Sequence, residues 1–87
     1  MRLLKTTFGY IINLDNISDF RLEITAGEHT VSAYSVTGGM CTGLGHVSDQ
    51  QEFLDVMTEI KANAFTTIPT FDSFVERVRA SKQVPAY

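Results

Sequence analysis

Apolar and polar residues alternate along the first half of the chain and recur at three- and four-residue spacing along the second. Phe8, Tyr10, Ile12 and Leu14 would share one face of a first strand, with Ile11 pointing the other way. The short polar side chains of Asp15-Asn16-Ile17-Ser18-Asp19 hydrogen-bond their own backbone readily and predict a turn. Beyond it, Phe20, Leu22, Ile24 and Ala26 alternate with Arg21, Glu23 and Thr25, the pattern of an antiparallel strand with one wet side. Gly27-Glu28-His29 predicts a hairpin loop. The third strand, Thr30 to Thr37, carries Val31 and Ala33 on one face and Tyr34 and Val36 on the other. Gly38-Gly39 suits a two-residue turn, because such turns need positive φ, and Met40, Thr42 and Leu44 would line a fourth strand.

The period then changes. Ser48-Asp49-Gln50-Gln51 matches a capping box with Ser48 as the cap, which predicts a helix from Asp49. Its stripe is Phe53, Met57, Ile60 and Ala64, while Asp49, Glu52 and Glu59 lie away from it. Thr66-Thr67-Ile68-Pro69 ends that helix. Phe71, Phe74, Val75 and Val78 define a second one, with Thr70 as its cap and Arg77, Arg79 and Lys82 toward its negative end. Residues 83–87 have no periodicity and are expected to form a flexible tail. Segregated strands and helices predict the α+β class: a four-stranded antiparallel meander followed by two helices packed on one sheet face, in a single domain over residues 1–87.

Composition adds the scale. A chain of 87 residues, 44% hydrophobic and 20% charged, is globular rather than disordered. A domain of this size buries only about 60 to 65% of its unfolded surface, so self-association into a homo-oligomer is expected to help it. A net charge of −3 argues against a nucleic-acid partner, whose phosphates reward a clustered basic face. The acids gather in the first helix and the bases in the second. That pattern predicts two solvated faces or, more sharply, an acidic helix of one subunit against the basic helix of another. The single cysteine, Cys41, excludes an internal disulfide and fits a reducing, cytoplasmic setting. No apolar run reaches signal-peptide or membrane-spanning length, so neither secretion nor a membrane partner is expected.

Candidate chemistry concentrates between residues 38 and 48. Gly43-Leu44-Gly45-His46-Val47-Ser48 is one residue short of the dinucleotide fingerprint GxGxxG and lies between a predicted strand and helix, where amides cradle anions. Asp49 and Glu52 just beyond it would repel a phosphate, and no later strand completes a βαβ unit. His29, Cys41 and His46 are able ligands, but no two have zinc-site spacing, so no metal or other cofactor is expected. Cys41 and His46 would point to opposite faces of one strand, which leaves no nucleophile with its base and no enzyme signature.

The segments YIINLDNISDFRLEI and SDQQEFLDVMTEI, separated by a third strand and a glycine-rich hairpin, resemble small uncharacterised bacterial and phage proteins built as a β-meander followed by a helix. The likeness spans about residues 8 to 62, and the chain departs from it by adding Pro69 to Tyr87. It implies a compact cytosolic accessory protein, encoded on a phage or other mobile element. No residue role transfers with it. The residues themselves point to a noncatalytic protein that self-associates and binds a protein partner. Its expected contacts are Ile11, Tyr34 and Val36 on the second sheet face and Phe74 and Val78 on the terminal helix, with Tyr87 as a further candidate. The alternative is a sensor or sequestering protein for an anionic metabolite or nucleotide, held near Gly43, Gly45, His46 and Ser48.

Overall fold

The computed structural model describes residues 2–35 and 41–82. The expectations placed on Val36, the Gly38-Gly39 turn, Met40 and the tail at 83–87 fall outside them. The α+β class holds, with antiparallel sheets and two helices. The four-stranded meander does not. Five strands form two sheets: β1 (Leu3–Lys5) pairs with β2 (Ile11–Asn13), and β3 (Ile17–Thr25), β4 (Glu28–Ser35) and β5 (Cys41–Val47) form a second sheet in that order.

The correction has a local cause. Gly9 adopts φ of 91°, and the amides of Thr6 and Gly9 donate to the carbonyls of Tyr10 and Thr6, so the chain turns back before Tyr10 instead of running straight from Phe8. Phe8 and Tyr10 are 49% and 65% exposed, outside the core face that their spacing suggests. Only Ile11–Asn13 remains strand, and it finds Leu3–Lys5, a three-residue partner too short to show alternation. A single 3-10 turn over Leu14–Asn16, capped by the Asn13 side chain, then leads directly into β3.

β3 and β4 meet at a two-residue turn, Ala26-Gly27, one residue earlier than the sequence predicts, with Thr25 opposite Glu28. Both turn residues have positive φ, 52° and 81°, as a type I′ turn requires. Ala26 is the only non-glycine residue with positive φ among the described residues, and its Cβ opposes that conformation. Ala26→Asn should therefore raise stability by about 0.5 to 1 kcal/mol, read as a shift in urea midpoint, because asparagine tolerates this region and completes an Asn-Gly turn.

Helix α1 (Gln50–Ala62) and helix α2 (Phe71–Lys82) both lie against β5. The core is formed by Leu4 from β1, Val31 and Ala33 from β4, Leu44 and Val47 from β5, Val56, Met57 and Ile60 from α1, and Phe71, Phe74, Val75 and Val78 from α2. α2 begins as the sequence predicts, with the Thr70 hydroxyl accepting from the Ser73 amide. α1 begins one residue later. Asp49, not Ser48, is its cap and accepts from the Glu52 amide at 2.8 Å. Glu52 in turn accepts from the Ser48 amide at 2.9 Å.

The N-terminal hairpin closes one side of the large sheet. The Thr7 amide donates to the Leu44 carbonyl on the outer edge of β5, and Phe8 folds over Gly43 to meet the His46 ring edge-on at 5.7 Å. The Lys5 amide donates to the Pro69 carbonyl, fastening the same hairpin to the segment before α2. The opposite edge of the sheet is β3, which has no strand partner beyond β4 among the described residues.

Candidate interaction surface

β3 is a nine-residue edge strand, and the register of its hairpin determines which backbone groups it presents. Residues flanking a two-residue turn exchange hydrogen bonds, and bonded and non-bonded pairs then alternate along the ladder. Thr25, Glu23, Arg21 and Asp19 accordingly bond to β4, opposite Glu28, Thr30, Ser32 and Tyr34. The intervening residues, Phe20, Leu22 and Ile24, turn their N–H and C=O groups outward. Such a row is a template for another strand.

The same three residues carry the apolar side of β3. Leu22 lies opposite Val31, which lies opposite Gly45, so this row faces the helices. Because the helices lean toward β5, cover thins across the sheet. Val31 is fully buried, Phe20 and Leu22 are half-buried, and Ile24 is 65% exposed. Toward the start of β3 the row continues into a groove of about 420 Å³ between β3 and α1, where Ile17 and Phe20 face Phe53, Leu54 and Met57, with Asp19 and Lys61 at its rim. Leu54 is itself 47% exposed.

The second sheet face, expected to be an apolar patch, is a polar network. The Arg21 guanidinium pairs with Asp19 at 2.7 Å and lies over the Tyr34 ring at 4.3 Å. The Tyr34 hydroxyl donates to Glu23 at 2.7 Å, and that bond, with the nearby Cys41 thiol, pushes the Tyr34 pKa up to about 12. Tyr34 is thus held by its own chain. Ile11 is 57% exposed but belongs to the small sheet and does not sit beside Tyr34 in the large one.

Phe74 and Val78, expected as contact residues, are instead buried in the core. They are 2% and 3% exposed, because α2 turns its apolar stripe wholly into the core. The opposed charges of the helices are explained within one chain. Arg79 bonds both carboxylate oxygens of Glu52 at 2.9 and 3.0 Å, Lys82 reaches Asp55 at 2.8 Å, and Arg77 stands 3.8 Å from Glu59. These pairs join α1 to α2 within one chain, and the basic side chains remain about half exposed, as solvated helix faces would be. Arg79 holds the Glu52 carboxyl below its ordinary range, and Lys82 does the same for Asp55.

Gly43, Gly45, His46 and Ser48 are brought to the end of β5, but the chain itself uses them. Gly45 packs beneath the Phe71 ring, and His46 Nδ1 meets the Thr30 hydroxyl at 3.2 Å. The Ser48 amide donates to Glu52, and the Ser48 hydroxyl accepts from Arg79. An anion at the helix start would therefore share that space with the carboxylates of Asp49 and Glu52. A shallow depression beside it is lined by Thr7, His46, Asp72, Val75, Glu76 and Arg79. Two acids and one already paired arginine give it no net attraction for a phosphate. His29 does not complete a metal site: no three His, Cys, Asp or Glu residues cluster for a metal among the described residues. Likewise, no helix among them is long and apolar enough to cross a membrane.

The open edge was partly visible in the sequence as the alternation of residues 20–26. What the sequence omits is the position of β3 at the sheet's border, which follows from the pairing of residues far apart. No family model, curated protein or solved structure matches this chain, so its fold and surface stand on their own geometry.

Proposed function

We propose that this chain is a noncatalytic cytosolic interaction module that acts by taking an extended polypeptide strand onto the open edge of β3. One observation carries the reading: Phe20, Leu22 and Ile24 present backbone groups without a partner among the described residues, and incompletely covered apolar side chains, at the same border. Strand addition uses these two features together. The ladder supplies affinity and alternate side-chain positions supply selection. Long edges left bare invite aggregation, and most proteins blunt them with lysine, proline or a bulge. Here the register shift lies at the very start of the strand, between Ile17 and Asp19, and the charged Asp19, Arg21 and Glu23 lie on the sheet face opposite Phe20, Leu22 and Ile24. The accessory role implied by the sequence likeness is compatible with such a module and belongs to the same proposal.

The test is a titration of isotope-labelled protein with short peptides of alternating apolar sequence. One of them should reproduce residues 17–25. Slowed hydrogen exchange is expected at the amides of Phe20, Leu22 and Ile24, with shifts spreading into Phe53, Leu54 and Met57. Ile24→Lys should abolish the response while changing stability by no more than about 0.5 kcal/mol, since Ile24 is already 65% exposed. Peptides that leave these three amides unaffected would rule the reading out.

A further inference from the structure

We infer that the strand taken by β3 is β3 of a second copy, paired antiparallel about a two-fold axis through Leu22. This rests on the strand-addition reading and names its occupant. In a symmetric antiparallel pair each residue faces the one equally far from the axis on the other side, and facing residues share a sheet face. Outward backbone groups belong to the even-numbered residues, and an axis through any residue of β3 sets these opposite one another, so the side chains choose the register.

The axis through Leu22 matches this strand to itself. Leu22 meets Leu22, Phe20 meets Ile24, and Arg21 meets Glu23, each of the last two pairs occurring twice. Three facing pairs that exchange two bonds each give about six new backbone hydrogen bonds. Opposite charges and apolar partners placed directly across a ladder each add to pairing. The other axes are poorer. Through Arg21, arginine faces arginine and Asp19 faces Glu23; through Glu23, two carboxylates meet. Through Phe20, Leu22 falls opposite Ser18 at the irregular start of the strand and Ile24 runs past its end. Through Ile24, Leu22 would face the Ala26 turn. Only the Leu22 axis covers the exposed Ile24 with an apolar partner while setting Arg21 against a carboxylate. The product is a continuous six-stranded sheet, two copies of the three-stranded one.

The experiment combines sedimentation equilibrium with register-specific crosslinking on the full chain. The unaltered protein should dimerise reversibly in the micromolar range, and Ile24→Lys should weaken that more than tenfold with its circular dichroism unchanged. Arg21→Glu should also weaken dimerisation, and Arg21→Glu combined with Glu23→Arg should restore it. In a Cys41→Ser background, Leu22→Cys should oxidise to a covalent dimer, because facing Cα atoms lie about 5.5 Å apart and disulfides span roughly 4.4 to 6.8 Å. Thr25→Cys should not, since two copies of that residue would be about 20 Å apart. A chain that stays monomeric at the highest concentration, or Thr25→Cys crosslinking as readily as Leu22→Cys, overturns the inference. Monomers whose edge still takes the alternating peptides would overturn the second copy alone. An edge silent to both would overturn strand addition as well.

Discussion

Replacing Glu52 with alanine is expected to lower stability by about 2 to 3 kcal/mol, although nothing in the sequence separates this residue from the other acids of α1. Its side chain is 6% exposed. One carboxylate oxygen accepts from the Ser48 amide and from Arg79 Nη2, both at 2.9 Å, and the other accepts from Arg79 Nε at 3.0 Å. A single side chain thus closes the start of α1 and joins it to α2. Deleting it leaves the Ser48 amide without its acceptor and Arg79 without its anion. Because the Arg79 side chain is 50% exposed, water recovers part of that loss, which holds the cost below the 3 to 5 kcal/mol of a fully buried broken pair. Urea denaturation of Glu52→Ala at pH 7 measures it, and Glu52→Gln, which keeps an acceptor but loses the charge, should fall between the two.

The same carboxylate gives the protein an acid-sensitive clasp. Arg79 lowers the Glu52 pKa in the folded state below its ordinary 4.5, so its contribution is complete above that value and is lost as pH falls through the depressed one. Asp55, lowered from 3.8 by Lys82, acts in the same direction. The melting temperature of the natural sequence should therefore drop between about pH 5 and pH 3, and that drop should be shallower in Glu52→Ala. Equal slopes for the two proteins would show that Glu52 carries none of the acid sensitivity.

Gly45→Ala is expected to cost about 2 to 3 kcal/mol, the upper range for forcing an extra carbon into a packed core. A Cβ at this position would stand 2.5 Å from Cδ2 of Phe71 and closer still to the Thr7 hydroxyl. Phe71 is fully buried within the core. Gly43→Ala provides the contrast. Its Cβ would meet only the Phe8 ring, at 3.1 Å, and Phe8 is half exposed and free to swing away, so the change should stay within about 0.5 kcal/mol. Combining Gly45→Ala with Phe71→Leu should cost less than the sum of the two single changes, the non-additivity expected of groups in contact.

These residues also mark how far the sequence could be read. Both helices, the β3–β4 hairpin and the Thr70 cap follow from local patterns, since period, turn chemistry and capping act over a few neighbours. The alternation from Phe8 to Leu14 suggests one strand where Gly9 reverses the chain. The true partner of β2, Leu3–Lys5, is too short to announce itself. Glu52 reads as a surface acid because its partner Arg79 is 27 positions away. Gly45 reads as half of a phosphate motif because the ring that requires it arrives from α2. In each case the deciding contact joins distant segments, and local periodicity carries no information about it.

The two borders of the large sheet differ: Thr7 occupies β5 at its middle, while β3 has no partner beyond β4 among the described residues. A sheet open on both sides can recruit copies without end and grow into a fibre. One open on a single side exhausts its valence when two bare borders meet. Under the proposed pairing through β3, Thr7, by its one backbone bond to Leu44, would help assembly to close at two instead of propagating.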